Sequence, residues 1–355
     1  MNAEEITREL VKIQSTPQKT GEKNRVLNYV ENLLNDQDYQ FREFEDEEAR
    51  SLLITFRETM SPNILLHGHL DVVSASGDLF QPEKRDGKLY GRGTADMKSG
   101  VACCIKLMQR MAEKDGTPDV GLLLTTDEEV GGFKGTGYVV DQGLEPGFVI
   151  SAEPDDSGDF PSIVNKQKGV LQLKITAEGK SAHGSKPGKG VNAAEKLMEK
   201  YRELKRLFSD GEFPTTVNLG RFESGEEVNK VPENAEMHLD IRYSQQYPAE
   251  KVLEDIRSID EIEVEVTARA PMMNTSRSEK ALKSLQTAVQ EATGKKAEFR
   301  SENFASDMRF FTSRNIPAVC FGPEGKNLHG EDEYVELYSL QDYIKSLEMF
   351  VEEAG

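Results

Sequence analysis

Apolar residues recur at helical spacing at the start of the chain, and short apolar runs follow them. Intervals of three and four residues predict two helices within residues 1–35. The predicted strands are 38–44, Ser51–Phe56, Asn63–Leu66, Val120–Thr126 and Phe148–Ser151. A helix predicted over 97–113 lies between the third and the fourth of these strands. This alternation predicts an α/β layered domain with a largely buried sheet.

The periodicity changes between residues 166 and 272. Strands are predicted at Val170–Ala177, Thr215–Phe222, Ala235–Tyr243 and Ile262–Val266, and helices at Asn192–Phe208 and Ala249–Arg257. The order β-α-β-β-α-β is that of a ferredoxin-like α+β unit. We therefore expect an inserted domain at 166–272 within a discontinuous domain formed by 1–165 and 273–355. The α/β pattern resumes after the insertion with a helix at 279–291, a strand at Pro317–Phe321 and a helix at 339–353.

Composition and charge restrict the partners that the chain could have. The formal net charge of −19 repels phosphate backbones and anionic lipids, so neither nucleic acid nor a membrane is an expected partner. No apolar stretch approaches the roughly 20 residues that cross a bilayer. The acidic start of the chain does not resemble a secretion signal. With three cysteines, two of them adjacent (Cys103 and Cys104), a disulfide framework is not expected, and a soluble cytoplasmic protein is predicted.

Side chains that bind metals follow several of the predicted strands. They lie in His67–Val73, Gly91–Gly100, Thr125–Gly132, Ser151–Pro154 and Asn327–Glu331. The carboxyl ends of strands in an open α/β sheet are where ligands collect, so these segments are expected to converge. Imidazole nitrogens and carboxylate oxygens are donors that zinc prefers. Two histidines and three carboxylates suit a pair of ions with one shared carboxylate.

Two pairs of neighbouring residues suggest how roles are divided. Asp71 is the candidate that fixes the orientation of His69, two residues before it. Adjacent Glu128 and Glu129 cannot point the same way, so one would bind metal and the other would act as general base toward water. The sequence around Arg92, Gly-Arg-Gly, lacks the third glycine and the preceding strand of a nucleotide loop, which excludes that interpretation.

Taken in order, these motifs resemble those of the M20 family of metallohydrolases. The family includes acetylornithine deacetylases, succinyl-diaminopimelate desuccinylases, aminoacylases and glutamate-releasing carboxypeptidases. The resemblance implies a mixed-sheet zinc-hydrolase catalytic domain with an inserted ferredoxin-like α+β dimerisation domain. It implies metal ligands at His69, Asp96, Glu129, Glu153 and His329. Asp96 would bridge two ions, the first bound also by His69 and Glu153, the second by Glu129 and His329.

The resemblance also implies roles for residues that do not bind metal. Glu128 matches the catalytic base and Asp71 the residue that orients the first histidine. In the inserted domain, His183 matches a histidine that reaches the active site of a partner subunit and stabilises the oxyanion, so a homodimer is expected. Asn229 and Arg242 match positions that hold the substrate, and a guanidinium can clamp a carboxylate through two hydrogen bonds.

The predicted function is metal-dependent hydrolysis of an amide in a small molecule. The expected reaction removes an acyl group from an N-acyl amino acid, as acetylornithine deacetylases and succinyl-diaminopimelate desuccinylases do in amino-acid biosynthesis. The expected cofactors are two divalent ions, zinc in the first place, with cobalt or manganese as alternatives. The alternative enzyme is an M20-type carboxypeptidase or dipeptidase. A binding protein that has lost catalysis is disfavoured by the intact Glu128 and the full ligand set.

Overall fold

Two compact units make up the chain. The computed structural model describes residues 1–114, 116, 118–155, 160–208 and 213–354. The first unit comprises Met1–Lys166, Met273–Glu302 and Ser306–Gly355, and the second comprises Gln167–Met272 and Asn303–Ala305. The second unit is thus formed almost entirely by one continuous stretch within the first.

Both helices and strands precede the second unit. The helices are α1 (Ala3–Lys12), α2 (Thr20–Leu34), α3 (Ser99–Ala112) and α4 (Tyr138–Asp141). The strands are β1 (Gln40–Asp46), β2 (Ala49–Thr55), β3 (Ile64–His69), β4 (Glu83–Arg85), β5 (Lys88–Tyr90), β6 (Val120–Thr125), β7 (Phe148–Ser151) and β8 (Ser162–Gln167). Helix α1 begins with a capping box in which Asn2 and Glu5 each accept a hydrogen bond from the other's main-chain N–H.

The second unit contains the predicted β-α-β-β-α-β order. Its elements are β9 (Gly169–Glu178), α5 (Ala193–Lys205), β10 (Thr216–Ser224), β11 (Asn234–Tyr243), α6 (Ala249–Arg257) and β12 (Glu263–Ala270). The strands form an antiparallel sheet in the order β10-β11-β9-β12. Alternate residues of β9 and β11, such as Leu173 and Leu239, are buried with Leu197 of α5 and Ile256 of α6 in one apolar cluster. The ferredoxin-like arrangement is confirmed.

The elements after the second unit complete the first unit. They are β13 (Met273–Asn274), α7 (Lys280–Thr293), β14 (Glu298–Glu302), α8 (Met308–Thr312), β15 (Ala318–Cys320), β16 (Gly325–Lys326), β17 (Tyr334–Glu336) and α9 (Leu337–Ala354). Within the described ranges, the large sheet has the order β1-β2-β6-β3-β7-β15-β8-β13, with β14 paired to β8. A smaller sheet has the order β16-β17-β5-β4.

The large sheet is mixed, as expected. Strands β6, β3, β7 and β15 run parallel, whereas β1, β2 and β8 pair antiparallel with their neighbours. Both faces of the sheet are covered: Leu122 and Leu124 join one apolar cluster, and Leu123 joins another on the opposite face. Because β3, β6 and β7 are parallel, their carboxyl ends lie at one edge, and the chain after each of them carries predicted site residues.

Strand β3 is longer than its apolar run predicts. The run Asn63–Leu66 stops before His67, but β3 continues to His69 and pairs it with Thr125 of β6. Both histidines are completely buried. The extension makes His69 the last residue of a central strand rather than part of a loop. His69 therefore lies where the carboxyl ends of the parallel strands meet.

The long helices are not membrane spans. In the part of the chain that the structure describes, none of them combines the length and the apolar character needed to cross a bilayer.

Close packing of α3 against the end of β7 leads to a stability prediction. A Cβ atom on Gly100 would lie 2.2 Å from the carbonyl oxygen of Ala152, the residue before Glu153. Gly100→Ala is therefore expected to lower the free energy of unfolding by about 1–3 kcal/mol, as overpacking does. Chemical denaturation measures this. In the control, Gly21→Ala, nothing lies within 4 Å of the new Cβ in α2, so stability stays equal or rises. Equal behaviour of the two variants would contradict the packing argument.

Candidate metal centre and active site

Three side chains from distant parts of the first unit form a cluster suited to a cation. One ligand atom each of Asp96, Glu129 and His329 lies within 4.8 Å of the others. His329 Nε2 is 3.2 Å from Asp96 Oδ2 and 3.3 Å from Glu129 Oε2. One imidazole nitrogen and two carboxylate oxygens leave a tetrahedral ion one open position, as catalytic zinc requires. The donor set therefore fits a zinc ion.

Asp96 lies between two histidines. Its Oδ1 atom is 3.0 Å from His69 Nε2, while its other oxygen faces His329. With its two oxygens divided in this way, the carboxylate could be shared by two ions. The exposed side-chain fraction rises from 0% for His69 through 16% for Asp96 to 51% for His329. The group thus leads from the interior of the unit to its surface.

Asp71 supports both the first histidine and the loop after β6. His69 Nδ1 is 3.0 Å from the main-chain carbonyl oxygen of Asp71 and 3.6 Å from its carboxylate. A carbonyl oxygen only accepts hydrogen bonds, so Nδ1 carries the hydrogen and Nε2 is the nitrogen available to a metal. The Asp71 carboxylate itself accepts hydrogen bonds from the main-chain N–H groups of Glu128, at 3.3 Å, and Glu129, at 3.0 Å. This second function was not predicted.

The two neighbouring glutamates differ in their surroundings. Glu129 is directed to His329, and its other oxygen accepts a hydrogen bond from the main-chain N–H of Val73 at 3.2 Å. Burial and neighbouring carboxylates raise the pKa of Glu128 well above its usual value, even though His69 opposes the shift. The surroundings of Glu129 are therefore those expected of a metal ligand. This leaves Glu128 as the carboxyl group that can exchange protons.

Electrostatics in the cluster are dominated by the carboxylates. Burial alone would raise the pKa of Asp96, but hydrogen bonds from His329 and His69 outweigh it and hold that pKa well below its usual range. The hydrogen bonds to Asp96 and Glu129 raise the pKa of His329 to about 10. Although burial opposes it, the hydrogen bond to Asp96 and the neighbouring carboxylates raise the pKa of His69 well above its usual value. Both histidines thus hold protons that a metal ion would displace, so metal binding is expected to release protons.

A buried chain of hydrogen bonds, not predicted from the sequence, runs behind Glu153. Thr136 donates to Asp307 at 2.5 Å and so accepts from His67 Nε2 at 2.9 Å. His67 Nδ1 is 3.1 Å from the Ser151 hydroxyl oxygen, which is 3.2 Å from Glu153 Oε1, and the one hydroxyl hydrogen serves one of these two contacts. Burial lowers the pKa of His67 to about 4 and raises that of Glu153 to about 8. His67 is therefore a neutral link in a chain that fixes Glu153.

The remaining predicted residues lie in the second unit. The segment of His183 pairs with that of Lys230, and the main-chain N–H of Gly184 donates to the carbonyl oxygen of Asn229 at 2.6 Å. The structure thus brings exposed His183 and Asn229 together. Arg242 lies on β11, where Asp240 accepts hydrogen bonds from its Nε at 2.7 Å and its Nη2 at 3.2 Å.

Comparisons with known proteins show the family and the fold of the chain. The sequence matches Peptidase family M20/M25/M40 over residues 65–353. It is 26% identical over 354 residues to the succinyl-diaminopimelate desuccinylase of Sulfurimonas denitrificans, which covers 93% of this chain and 96% of that protein.

Two crystal structures are similar over nearly the whole chain. Aminopeptidase PepT from Bacillus cereus superposes with a TM-score of 0.82 at 19% identity, covering 99% of this chain and 98% of that one. The M20 family metallo-carboxypeptidase Sso-CP2 from Sulfolobus solfataricus gives a TM-score of 0.76 at 18% identity, covering 100% and 99%. At these identities the likeness concerns the fold.

The hydrogen-bond chain behind Glu153 can be tested by removing one hydroxyl. Thr136→Val keeps the shape of the side chain but leaves His67 Nε2–H and Asp307 Oδ2 without the partner that they share. The free energy of unfolding is expected to fall by at least about 1 kcal/mol, because both groups are buried. Thr287→Val is the control, since its exposed hydroxyl donates to a carbonyl within helix α7. Equal stability of the two variants in chemical denaturation would contradict the chain.

Proposed function

The chain belongs to peptidase family M20/M25/M40, as its motifs predicted, and we propose that this hydrolase removes the acyl group from an N-acyl amino acid. The amide C–N bond is broken, and the products are a free carboxylate and a free amine. N-succinyl-diaminopimelate is the first substrate to consider, because the relative from Sulfurimonas denitrificans is named for that reaction.

The observation that carries this proposal is the position of Asp96 between His69 and His329, with Glu128 on the neighbouring loop. Asp96 would bridge two divalent ions. The first would be bound by His69 and Glu153 as well, and the second by Glu129 and His329. Zinc suits these nitrogen and oxygen donors best, and cobalt or manganese are alternatives. Bound ions of this kind polarise an amide carbonyl and lower the pKa of water.

Glu128 is the proton carrier in the proposed reaction. It takes a proton from the attacking water as the new C–O bond forms, and it gives that proton to the nitrogen as the C–N bond breaks. The hydrogen bond from its main-chain N–H to the Asp71 carboxylate fixes the start of the Glu128 side chain. Asp71 thereby connects the position of the base to that of His69.

The second unit is proposed to supply substrate contacts and the dimer interface. Asn229 and Arg242 would hold the substrate carboxylate. Asp240 occupies the Nε–Nη2 edge of the guanidinium, so the Nη1 side is the one that a substrate would use. His183 would stabilise the oxyanion in the partner subunit of a homodimer, and its exposure supports such a role.

The cytoplasm is the proposed compartment. All three cysteines are described residues, and they are buried thiols rather than disulfides. A chain whose thiols remain reduced suits a reducing compartment.

A peptidase acting on short peptides is the second candidate. The similarity to aminopeptidase PepT over 99% of the chain favours it. A peptidase and a deacylase would use the same proton transfer by Glu128, and they differ in the group bound on the carbonyl side of the amide.

Release of primary amine from a substrate panel tests the proposed function. Chelator-treated protein is given N-succinyl-diaminopimelate, N-acetylornithine, other N-acyl amino acids, dipeptides and tripeptides, with and without zinc. We expect zinc-restored turnover on the N-acyl amino acids, with N-succinyl-diaminopimelate among the best. Turnover confined to peptides would replace the deacylase by the peptidase, and no zinc-dependent turnover on any compound would contradict both.

Glu128→Gln is the matched control for that panel. The amide has the size of the carboxylate but does not take up a proton. Turnover of the best substrate is expected to fall at least about 100-fold, the usual range for loss of a general base, with zinc content unchanged. Glu31→Gln, on helix α2, is expected to retain activity.

A further inference from the structure

The loop that carries His329 needs support from outside itself. It connects the two-residue strand β16 to the three-residue strand β17. Both Asn327 and His329 have positive φ, at 59° and 63°, in the left-handed region that residues with a Cβ rarely adopt. The His329 side chain is half exposed. Short strands and an unfavourable main-chain conformation do not by themselves hold a ligand 3.2 Å from Asp96.

A buried ion pair lies beside this loop. Arg92 Nη1 is 2.5 Å from Glu333 Oε2, and the two side chains are 4% and 1% exposed. Arg92 precedes the turn Thr94–Lys98 that carries Asp96, and Glu333 follows the loop that carries His329. The pair therefore joins two segments that are far apart in sequence.

Each partner of the ion pair also holds the ligand on the other segment. Glu333 Oε1 accepts hydrogen bonds from the main-chain N–H groups of Ala95, at 3.0 Å, and Asp96, at 3.2 Å. Arg92 Nη2 donates to the carbonyl oxygens of His329, at 2.8 Å, and Gly330, at 3.1 Å. The contacts cross: Glu333, which follows His329, holds Asp96, and Arg92, which precedes Asp96, holds His329.

From this geometry we propose that Arg92 and Glu333 are positioning residues that set the affinity for the ion bound by Asp96, Glu129 and His329. They act on the main chain of two ligands and do not touch the reacting atoms. The inference rests on the proposed metal centre and goes beyond it by assigning control of one ion to a pair of residues that bind no metal. The guanidinium is needed because its planar fork serves the carboxylate and both carbonyl oxygens at once.

An ion pair that merely stabilised the fold would have a different consequence. Weakening it would lower the stability of the first unit as a whole, and the affinity for both ions would change together or not at all. Arg92 acts through His329, which serves one ion, so weakening the contacts of Arg92 changes one affinity, and the effect disappears once His329 no longer binds metal. This coupling separates the two possibilities.

The test measures zinc binding by isothermal titration of chelator-treated full-length protein. Arg92→Lys keeps the charge but offers a single nitrogen, which cannot reach Glu333 and both carbonyl oxygens. We expect one of the two zinc dissociation constants to rise at least about tenfold, with the other unchanged. In a His329→Ala background, Arg92→Lys is expected to cause no further loss. Arg110→Lys is the control, since Arg110 pairs with Glu348 at 2.8 Å and joins α3 to α9.

Three outcomes would overturn the proposal. Wild-type zinc affinities in a folded Arg92→Lys variant would remove Arg92 from the control of the ion, as would an equal further loss in the His329→Ala background. If Arg92→Lys does not unfold cooperatively, Glu333→Gln, which places an amide N–H₂ against Arg92, provides the same comparison. Wild-type protein that binds no zinc would contradict the metal centre itself, and the positioning role with it.

Discussion

The arrangement of the candidate site depends on one carboxylate, that of Asp96, which lies between two histidines. The two oxygens of Asp96 face His69 at 3.0 Å and His329 at 3.2 Å, and these histidines come from a central strand and from a late loop. Neither histidine could be so placed by local sequence. A shared ligand therefore requires that the sheet edge, the turn at Asp96 and the loop at His329 be fixed relative to one another within about half an ångström.

Each proposed ligand is fixed through its main chain or through a buried hydrogen bond. The Asp71 carboxylate holds the main-chain N–H groups of Glu128 and Glu129, so the candidate base and a ligand share one support. The Ser151 hydroxyl contacts Glu153, and the Arg92–Glu333 pair holds the turn that carries Asp96 and the loop that carries His329. Polar groups this deeply buried are costly unless they are paired, which is why the supports form continuous networks.

The sequence predicted the elements in which apolar residues recur at a regular spacing, and it missed elements that are too short to show one. Helix α6 was predicted with the observed bounds, and β11 nearly so, because its apolar residues alternate over ten positions. Strands of two or three residues, such as β13 and β16, contain no period from which they could be recognised. The small sheet was missed for that reason. Strand β3 was placed too short because two buried histidines follow its apolar run.

For the site, the sequence identified residue types, and their contacts came from the fold. The ordered motifs led to the candidate ligands, and the structure brings three of them, Asp96, Glu129 and His329, together. The sequence identified Asp71 as the residue that orients His69. In the structure, its carboxylate accepts hydrogen bonds from the main chain of the loop after β6. Glu333 is the last of three consecutive acids that begin two residues after His329, and nothing local distinguishes it. Pairing across more than two hundred residues is a property of the fold and not of any motif.

The central claim is that Asp96 serves two ions, and zinc stoichiometry tests it most directly. Wild-type protein and Asp96→Asn are loaded with zinc, dialysed and assayed for bound metal, with Asp119→Asn, a surface variant, as control. The account predicts two tightly bound ions in the wild type and in the control, and none retained by Asp96→Asn, because each ion loses a charged ligand. Two ions retained by Asp96→Asn would contradict the shared carboxylate.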